Sequence, residues 1–126
     1  MRRLSISSLI TIGSITTAAH ADCAPQSQIK LLPAPPSASD WFGFSVAIDG
    51  SRAVVGARFD DDGASNAGTA CIFANVGGVW MQEDKIAAAD AASLDDFGFS
   101  VDISGDTLVV GAPGDDDNGS ASGSAY

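Results

Sequence analysis

The chain has 126 residues, with 16 acidic against 6 basic side chains and a formal net charge of −10 at pH 7. That length suits one domain of modest size. A surface of this sign repels phosphate backbones, which argues against a nucleic-acid partner. The apolar stretch near the N-terminus is shorter than the roughly 20 residues that a spanning helix needs, so no membrane span is predicted.

The N-terminus has the pattern of an export signal. Two arginines are followed by an apolar stretch at 4–17, and Ala-His-Ala at 19–21 supplies a small-x-small cleavage site. We predict a signal peptide at 1–21 and a secreted or cell-surface location; an ordinary N-terminal tail is the alternative. Removing these residues leaves 4 basic and 16 acidic side chains, a net charge of 4 − 16 = −12. His20, the only histidine, leaves too, which argues against histidine-based catalysis or zinc binding.

An internal repeat organises the rest of the chain. Residues 40–71 recur at 95–126 with an offset of 55 and no gap, and 18 of the 32 aligned positions are identical by direct count. Such a repeat is usually one supersecondary unit that stacks on its copies. At the same offset, Lys30 aligns with Lys85. The predicted parts are a lead-in at 22–39 that contains the last strand of a preceding repeat, repeat 1 at 40–94, and an incomplete repeat 2 at 95–126.

Each repeat is predicted to form a four-stranded antiparallel sheet. The first strand alternates large and small residues, and the second is apolar on both faces, as in strands that are covered on both sides. In repeat 1 the predicted strands are 42–48, 53–57, 69–74 and 79–86. Asp49-Gly50 supplies the hairpin turn, and the alanine-rich segment 86–92 is expected to be a loop or a single turn. Because such a sheet cannot bury both faces alone, neighbouring sheets are predicted to stack radially.

Short motifs in both repeats resemble the FG-GAP repeat of integrin alpha-subunit propellers and of many bacterial secreted proteins. They are Phe42-Gly43 with Gly56-Ala57-Arg58, and Phe97-Gly98 with Gly111-Ala112-Pro113. Repeat 2 matches the signature fully, whereas repeat 1 has Arg58 where proline is expected. The resemblance covers about Gln28–Tyr126 and implies an all-β propeller of four-stranded antiparallel blades. About two blades are present, so we expect an incomplete ring and further blades of the same protein.

The acidic loop after the second strand of each repeat is the candidate metal site. Calcium prefers six to eight oxygen ligands, often from alternate loop residues. The candidate ligands are Asp60, Asp62 and Asn66 in repeat 1, and Asp115 and Asp117 in repeat 2. Some integrin-type blades bind calcium here, but the third carboxylate of their pattern is alanine in one copy and glycine in the other. The alternative is a solvated acidic loop with turn-forming residues.

The two cysteines leave two interpretations open. Cys23 and Cys71 could form a disulfide in an exported chain. Alternatively, Cys71 is a small buried residue, because its counterpart in repeat 2 is Tyr126.

These features predict an exported, non-catalytic module with a recognition, adhesion or scaffold role. Acidic residues that recur at equivalent positions of both repeats favour a structural role over catalysis, because a catalytic carboxylate pair normally needs two unlike environments. The expected partner is a protein or a glycan, which no residue identifies. The alternative is a structural, calcium-stabilised segment of a larger secreted protein whose enzyme domain lies outside this chain.

Overall fold

The computed structural model describes residues 28–126, so the predicted signal peptide at 1–21 and Cys23 lie outside the described part. The strands are β1 Phe42–Asp49, β2 Arg52–Ala57, β3 Thr69–Val76, β4 Val79–Ile86, β5 Ser100–Ser104, β6 Thr107–Ala112 and β7 Ser124–Ala125. Every regular element within this part is a strand, and it has no helix that is long and apolar enough to cross a membrane. The all-β prediction is confirmed.

The strands form two antiparallel sheets, one for each repeat. The repeat-1 sheet has the order β1-β2-β3-β4, and the repeat-2 sheet has the order β5-β6-β7. Tyr126 extends the β7 pairing, because its backbone exchanges two hydrogen bonds of 2.9 Å with Val110. The segment 87–94 forms turns rather than a helix, as predicted.

The two repeats have matching backbones. The turn glycines Gly50 and Gly105 have φ values of 55° and 57°, and the loop residues Asn66 and Ala121 have φ values of 53° and 50°. These left-handed conformations are uncommon outside glycine, so their recurrence at the offset of 55 shows that one fold is built twice.

Side chains alternate between the two faces of each sheet. One face, which we call the leading face, carries the large residues of the first strand and every second residue of the next strand. In repeat 1 it includes Val46, Ile48, Ala53 and Val55. In repeat 2 it includes Val101, Ile103, Leu108 and Val110. We call the opposite face the trailing face.

The leading face of repeat 2 lies against the trailing face of repeat 1. Val54 and Ala70 of the trailing face are both fully buried, and they form one apolar cluster with Val110 and Phe97. Backbone hydrogen bonds also join the 65–67 loop of repeat 1 to the residues that lead into β5. They run from Leu94 N–H to the Ser65 carbonyl (2.9 Å), from Asp96 to Asn66 (3.3 Å) and from Phe97 to Ala67 (2.8 Å).

The lead-in covers part of the leading face of repeat 1. Leu31 packs against the second buried cluster, which contains Val55 and Phe73. The Ala34 N–H donates to Gln82 Oε1 at 2.8 Å, and Gln82 Nε2 donates to the Ala34 carbonyl at 3.2 Å. The lead-in therefore packs both on the second buried cluster and on β4 of repeat 1.

Two details of the predicted alternation are wrong. Phe44 does not share the face of Val46, because the register shifts between Phe42 and Ser45 and Gly43 has a φ of 93°. This bulge turns Phe44 out of the alternation and leaves it 40% exposed. In repeat 2 the strand begins only at Ser100, so its counterpart precedes the strand.

The second strand of repeat 2 is covered on one side only, in contrast to the prediction. Val109 is 49% exposed, whereas its counterpart Val54 is fully buried. Val54 is covered by the next sheet, and within residues 28–126 no sheet lies against the trailing face of repeat 2.

Candidate functional site

The acidic loop of repeat 1 is organised around Asp60, which is 2% exposed. Its Oδ1 accepts a hydrogen bond from the Asp62 N–H at 2.9 Å, and its Oδ2 accepts one from the Thr69 hydroxyl at 3.0 Å. The Lys85 ammonium on β4 lies 2.6 Å from Asp60 Oδ2 and also pairs with Asp62 Oδ2. One lysine thus pairs with both carboxylates that the sequence put forward as calcium ligands in repeat 1.

These contacts and the burial of the site shift the pKa values of the ionisable groups around the loop. Burial alone would lower the pKa of Lys85, but hydrogen bonds to Asp60 and Asp62, with their charges, outweigh burial and raise it. Asp40 is 6% exposed, and burial, followed by the charge of Asp60, raises the pKa of its carboxyl. The ammonium form of Lys85 therefore stabilises a site that is otherwise dominated by negative charge.

The equivalent loop of repeat 2 has the same turn but a different donor. Asp115 is 3% exposed, and its Oδ1 accepts the Asp117 N–H at 3.1 Å. The Tyr126 hydroxyl lies 2.7 Å from Asp115 Oδ2 and 2.8 Å from Asp90 Oδ1, and it can donate its proton to either. Carboxylate oxygens of Asp90, Asp115 and Asp117 all lie within 4.8 Å of one another. We call these three residues the repeat-2 acidic cluster.

The three carboxylates of the repeat-2 acidic cluster repel one another. The Tyr126 hydrogen bond lowers the pKa of Asp115, and the bonds to Asp115 and Asp90 raise that of Tyr126. The charge of Asp115, followed by burial and the charge of Asp90, raises the pKa of Asp117. None of the ion pairs within residues 28–126 involves these three carboxylates.

The sequence located both acidic loops but missed two of their members. Asn66, a predicted ligand, uses its backbone N–H to donate to Asp61 Oδ1 at 2.7 Å. Lys85 was missed although its recurrence opposite Lys30 was a usable signal. Asp90 was also missed, and it has no acidic counterpart because Pro35 of the lead-in occupies the position 55 residues earlier. Calcium binding stays a prediction.

An aromatic cluster lies beside the repeat-1 loop. It consists of Trp41, Phe44, Phe59 and Phe99 around the guanidinium of Arg58. The guanidinium carbon of Arg58, Cζ, lies 4.3 to 4.9 Å from the three phenylalanine ring centroids, within the range of cation–π attraction. Trp41 is 57% exposed, and Phe44 and Phe99 are each 40% exposed. The cluster therefore presents an aromatic surface to solvent.

An ion pair fixes this surface across the repeat interface. Arg58 Nη2 donates to Asp96 Oδ2 at 2.8 Å, and the two side chains are 19% and 17% exposed. Repeat 2 has Pro113 at the position of Arg58, and repeat 1 has Trp41 at the position of Asp96. Arg58 and Asp96 thus pair at two positions where the repeats differ, and Trp41 replaces the acid of repeat 2 with an exposed ring.

Two other reactive side chains have structural roles. The Ser45 hydroxyl donates to the Gly98 carbonyl at 2.8 Å and thereby joins the two repeats. Cys71 is fully buried in β3, and burial raises the pKa of its thiol to about 11. A thiol in that environment is a weak nucleophile at neutral pH.

Repeated antiparallel sheets that stack face to face define the blades of a propeller-type repeat protein. The family model of the FG-GAP repeat matches residues 26–73 and 80–126. The chain therefore belongs to the FG-GAP repeat family. A comparison with curated proteins finds no match. FG-GAP repeats are typical of extracellular or surface proteins, and the family is generally non-catalytic.

Proposed function

We propose that this chain is a non-catalytic recognition module of an exported protein, and that it binds a protein or glycan at a cell surface through the aromatic cluster. The observation that carries the proposal is the exposure of Trp41, Phe44 and Phe99 around a partly buried ion pair. Exposed aromatic side chains beside polar groups are enriched where proteins bind partners, because they supply contact area at little entropic cost.

Three further features support this function. The repeat places Phe44 beside Phe99, with ring centroids 5.1 Å apart, so the surface extends across the interface. Arg58 is held by Asp96 and by the rings, which restricts the movement of the surface before binding. The family is typical of surface proteins, which agrees with the predicted signal peptide at 1–21.

The test compares two double variants of similar exposure. Trp41→Ala/Phe44→Ala removes the most exposed part of the aromatic cluster. Val76→Ala/Val79→Ala is the control, because these residues at the β3–β4 turn are 62% and 59% exposed. Fluorescently labelled chains are applied to a glycan microarray and to intact cells, before and after protease or glycosidase treatment.

The proposal predicts that the aromatic variant loses binding, while the control binds like the unchanged chain. Protease sensitivity of the cell signal indicates a protein partner, and glycosidase sensitivity or an array signal indicates a glycan. Equal binding by both variants, or no binding by the unchanged chain to either probe, would refute the proposal.

The second candidate function is a calcium-stabilised structural segment of a larger secreted protein, with any enzyme domain outside this chain. The repeat-2 acidic cluster favours it, because three carboxylates within 4.8 Å are the donors that calcium prefers. Asp90, Asp115 and Asp117 would hold the ion, and backbone carbonyls or water would complete the shell. In repeat 1 the counterparts of Asp115 and Asp117 already pair with Lys85.

Calcium titration with thermal unfolding tests this second function. Binding to the folded chain alone raises the unfolding temperature with calcium concentration. Asp117→Asn should abolish that rise, whereas Asp62→Asn in repeat 1 should leave it intact. An unfolding temperature that does not respond to calcium would exclude the second function and leave the recognition proposal standing.

A further inference from the structure

The acidic loop of repeat 1 is built around a cation that the chain itself supplies. The Lys85 ammonium lies 2.6 Å from Asp60 Oδ2 and also pairs with Asp62 Oδ2. The side chains of Lys85 and Asp60 are 16% and 3% exposed, so water has little access to this contact. A carboxylate that is buried so deeply needs a positive partner, because an uncompensated charge is costly to keep out of water. The ammonium is therefore part of the folded loop.

The register of β3 and β4 brings the ammonium to the loop. Lys85 lies opposite Cys71, which is fully buried. Thr69 precedes Cys71 by two residues on β3, so it is on the same face of the sheet, and its hydroxyl donates to Asp60 Oδ2 at 3.0 Å. These contacts all lie within residues 60–85, so the cation site is complete inside repeat 1.

The oxygens of this loop already have hydrogen-bond donors. Asp60 Oδ1 accepts the Asp62 N–H, and Asp60 Oδ2 accepts the Thr69 hydroxyl as well as the ammonium. An ammonium offers three N–H donors and needs acceptors, whereas calcium needs about six to eight oxygen ligands. Among residues 28–126, the acidic side chains that come close enough in a group of three to hold a metal are those of the repeat-2 acidic cluster. The repeat-1 loop therefore suits an alkylammonium better than the calcium that its sequence predicts.

We propose that the Lys85 ammonium takes the place of a metal ion in repeat 1, and that this loop is a binding site for a primary alkylammonium ion. While Lys85 fills it, the loop neither needs calcium nor binds it. Phe59 directly precedes Asp60, and its ring centroid lies 4.7 Å from that of Trp41. The ammonium therefore also anchors one side of the aromatic cluster. If the proposed recognition function holds, that recognition continues without calcium, whereas the cation site itself does not depend on that function.

Chemical rescue of Lys85→Ala tests the site. The truncation removes the propylammonium group beyond Cβ, and propylammonium chloride returns the same group as a free ion. Circular dichroism of the full chain in EDTA measures the unfolding temperature, with sodium chloride at equal ionic strength as the salt control and 1-propanol as the uncharged control. Lys30→Ala is the matched variant, because Lys30 is the equivalent lysine of the lead-in and is exposed.

The expected response is specific to the charged ligand and to the vacated position. About 0.1 M propylammonium should raise the unfolding temperature of Lys85→Ala by at least about 3 °C over sodium chloride, because a ligand that binds only the folded chain stabilises it. Propanol should not reproduce this rise, and the unchanged chain and Lys30→Ala should not show it. Equal responses to propylammonium and sodium chloride, or equal responses of Lys85→Ala and Lys30→Ala, would overturn the proposal. So would a Lys85→Ala chain that stays unfolded when propylammonium is added.

A calcium titration of chains that keep Lys85 tests the other half of the proposal. Asp117→Asn removes a carboxylate of the repeat-2 acidic cluster, so isothermal titration calorimetry with calcium chloride in this background does not depend on the second candidate function. Adding Asp62→Asn should leave the calcium heats unchanged, because the ammonium already holds the repeat-1 loop. Calcium binding by Asp117→Asn that disappears when Asp62→Asn is added would show a metal site in repeat 1 and overturn the proposal.

Discussion

The ion pair of Lys85 with the repeat-1 loop gives the sharpest test of how the blade is stabilised. In Lys85→Met, the buried carboxylate of Asp60 loses a cation that lies 2.6 Å away, and the two side chains are 16% and 3% exposed. Removing one partner of a buried pair costs about 3–5 kcal/mol, because the remaining charge stays buried. Asp60 keeps the Thr69 hydroxyl and the Asp62 amide as donors. We therefore expect a loss of about 3 kcal/mol, at the lower end of that range.

Urea unfolding followed by tryptophan fluorescence measures the effect, at low protein concentration and in EDTA. Lys30→Met is the control, because the equivalent lysine is exposed and should change the free energy of unfolding by less than about 0.5 kcal/mol. Lys85→Met/Asp60→Asn should recover most of the loss, because neither charge remains.

The same pair predicts a pH dependence with a definite sign. The pKa of Lys85 is raised in the folded chain above its ordinary value of 10.5. The stability that this pair contributes is therefore fully present below that value and is lost as the pH rises through the folded-state pKa. The unchanged chain should lose stability above pH 10.5 more steeply than Lys85→Met. If Lys85→Met unfolds at the same urea concentration as the unchanged chain at neutral pH, the reasoning on this ion pair is wrong.

Three more changes test the repeat interface and the acidic cluster. Gly68→Ala should cost about 3 kcal/mol, because Gly68 has a φ of 85° and an added Cβ would clash with the Phe97 carbonyl. Gly50→Ala, with a φ of 55° and open space, should cost only about 1 kcal/mol in the same urea titration. Arg58→Ala should cost about 2 kcal/mol, and a double-mutant cycle with Asp96→Ala should give a coupling of at least about 1 kcal/mol; additive losses would contradict the pairing. Asp117→Asn should raise the unfolding temperature at neutral pH. Because its folded-state pKa is raised above 3.8, this gain should vanish as the pH falls through that region; an unchanged midpoint at neutral pH would show that the carboxylates do not repel.

Most of the fold could be predicted because the same pattern of buried and exposed positions occurs in both repeats. The offset of 55 aligned the starts of the second and third strands and the hairpin turns, and the alternation in 46–48 and 101–103 identified the leading face. Stacking followed from the apolar run 53–57, which needs cover on both sides. Local pattern and tertiary packing agree at these positions.

The missed features depend on backbone details that a period-2 pattern does not contain. Phe44 leaves the alternation because Gly43 adopts a positive φ within a bulge. The pairing of Lys85 with the acidic loop depends on the β3–β4 register, which has its own shift between Ile72 and Phe73. Asp90 joins its cluster through the path of the loop before β5, and the aligned position 55 residues earlier carries no acid.

The most direct test of the stacked-repeat architecture is a two-dimensional NOE spectrum of the chain with assigned aromatic rings. Phe44 and Phe99 belong to different repeats, and their ring centroids lie 5.1 Å apart only if the two sheets stack in the register described. Ring-to-ring cross-peaks between these residues are the predicted result. Strand-like chemical shifts in both repeats without any Phe44–Phe99 cross-peak would contradict the stacking.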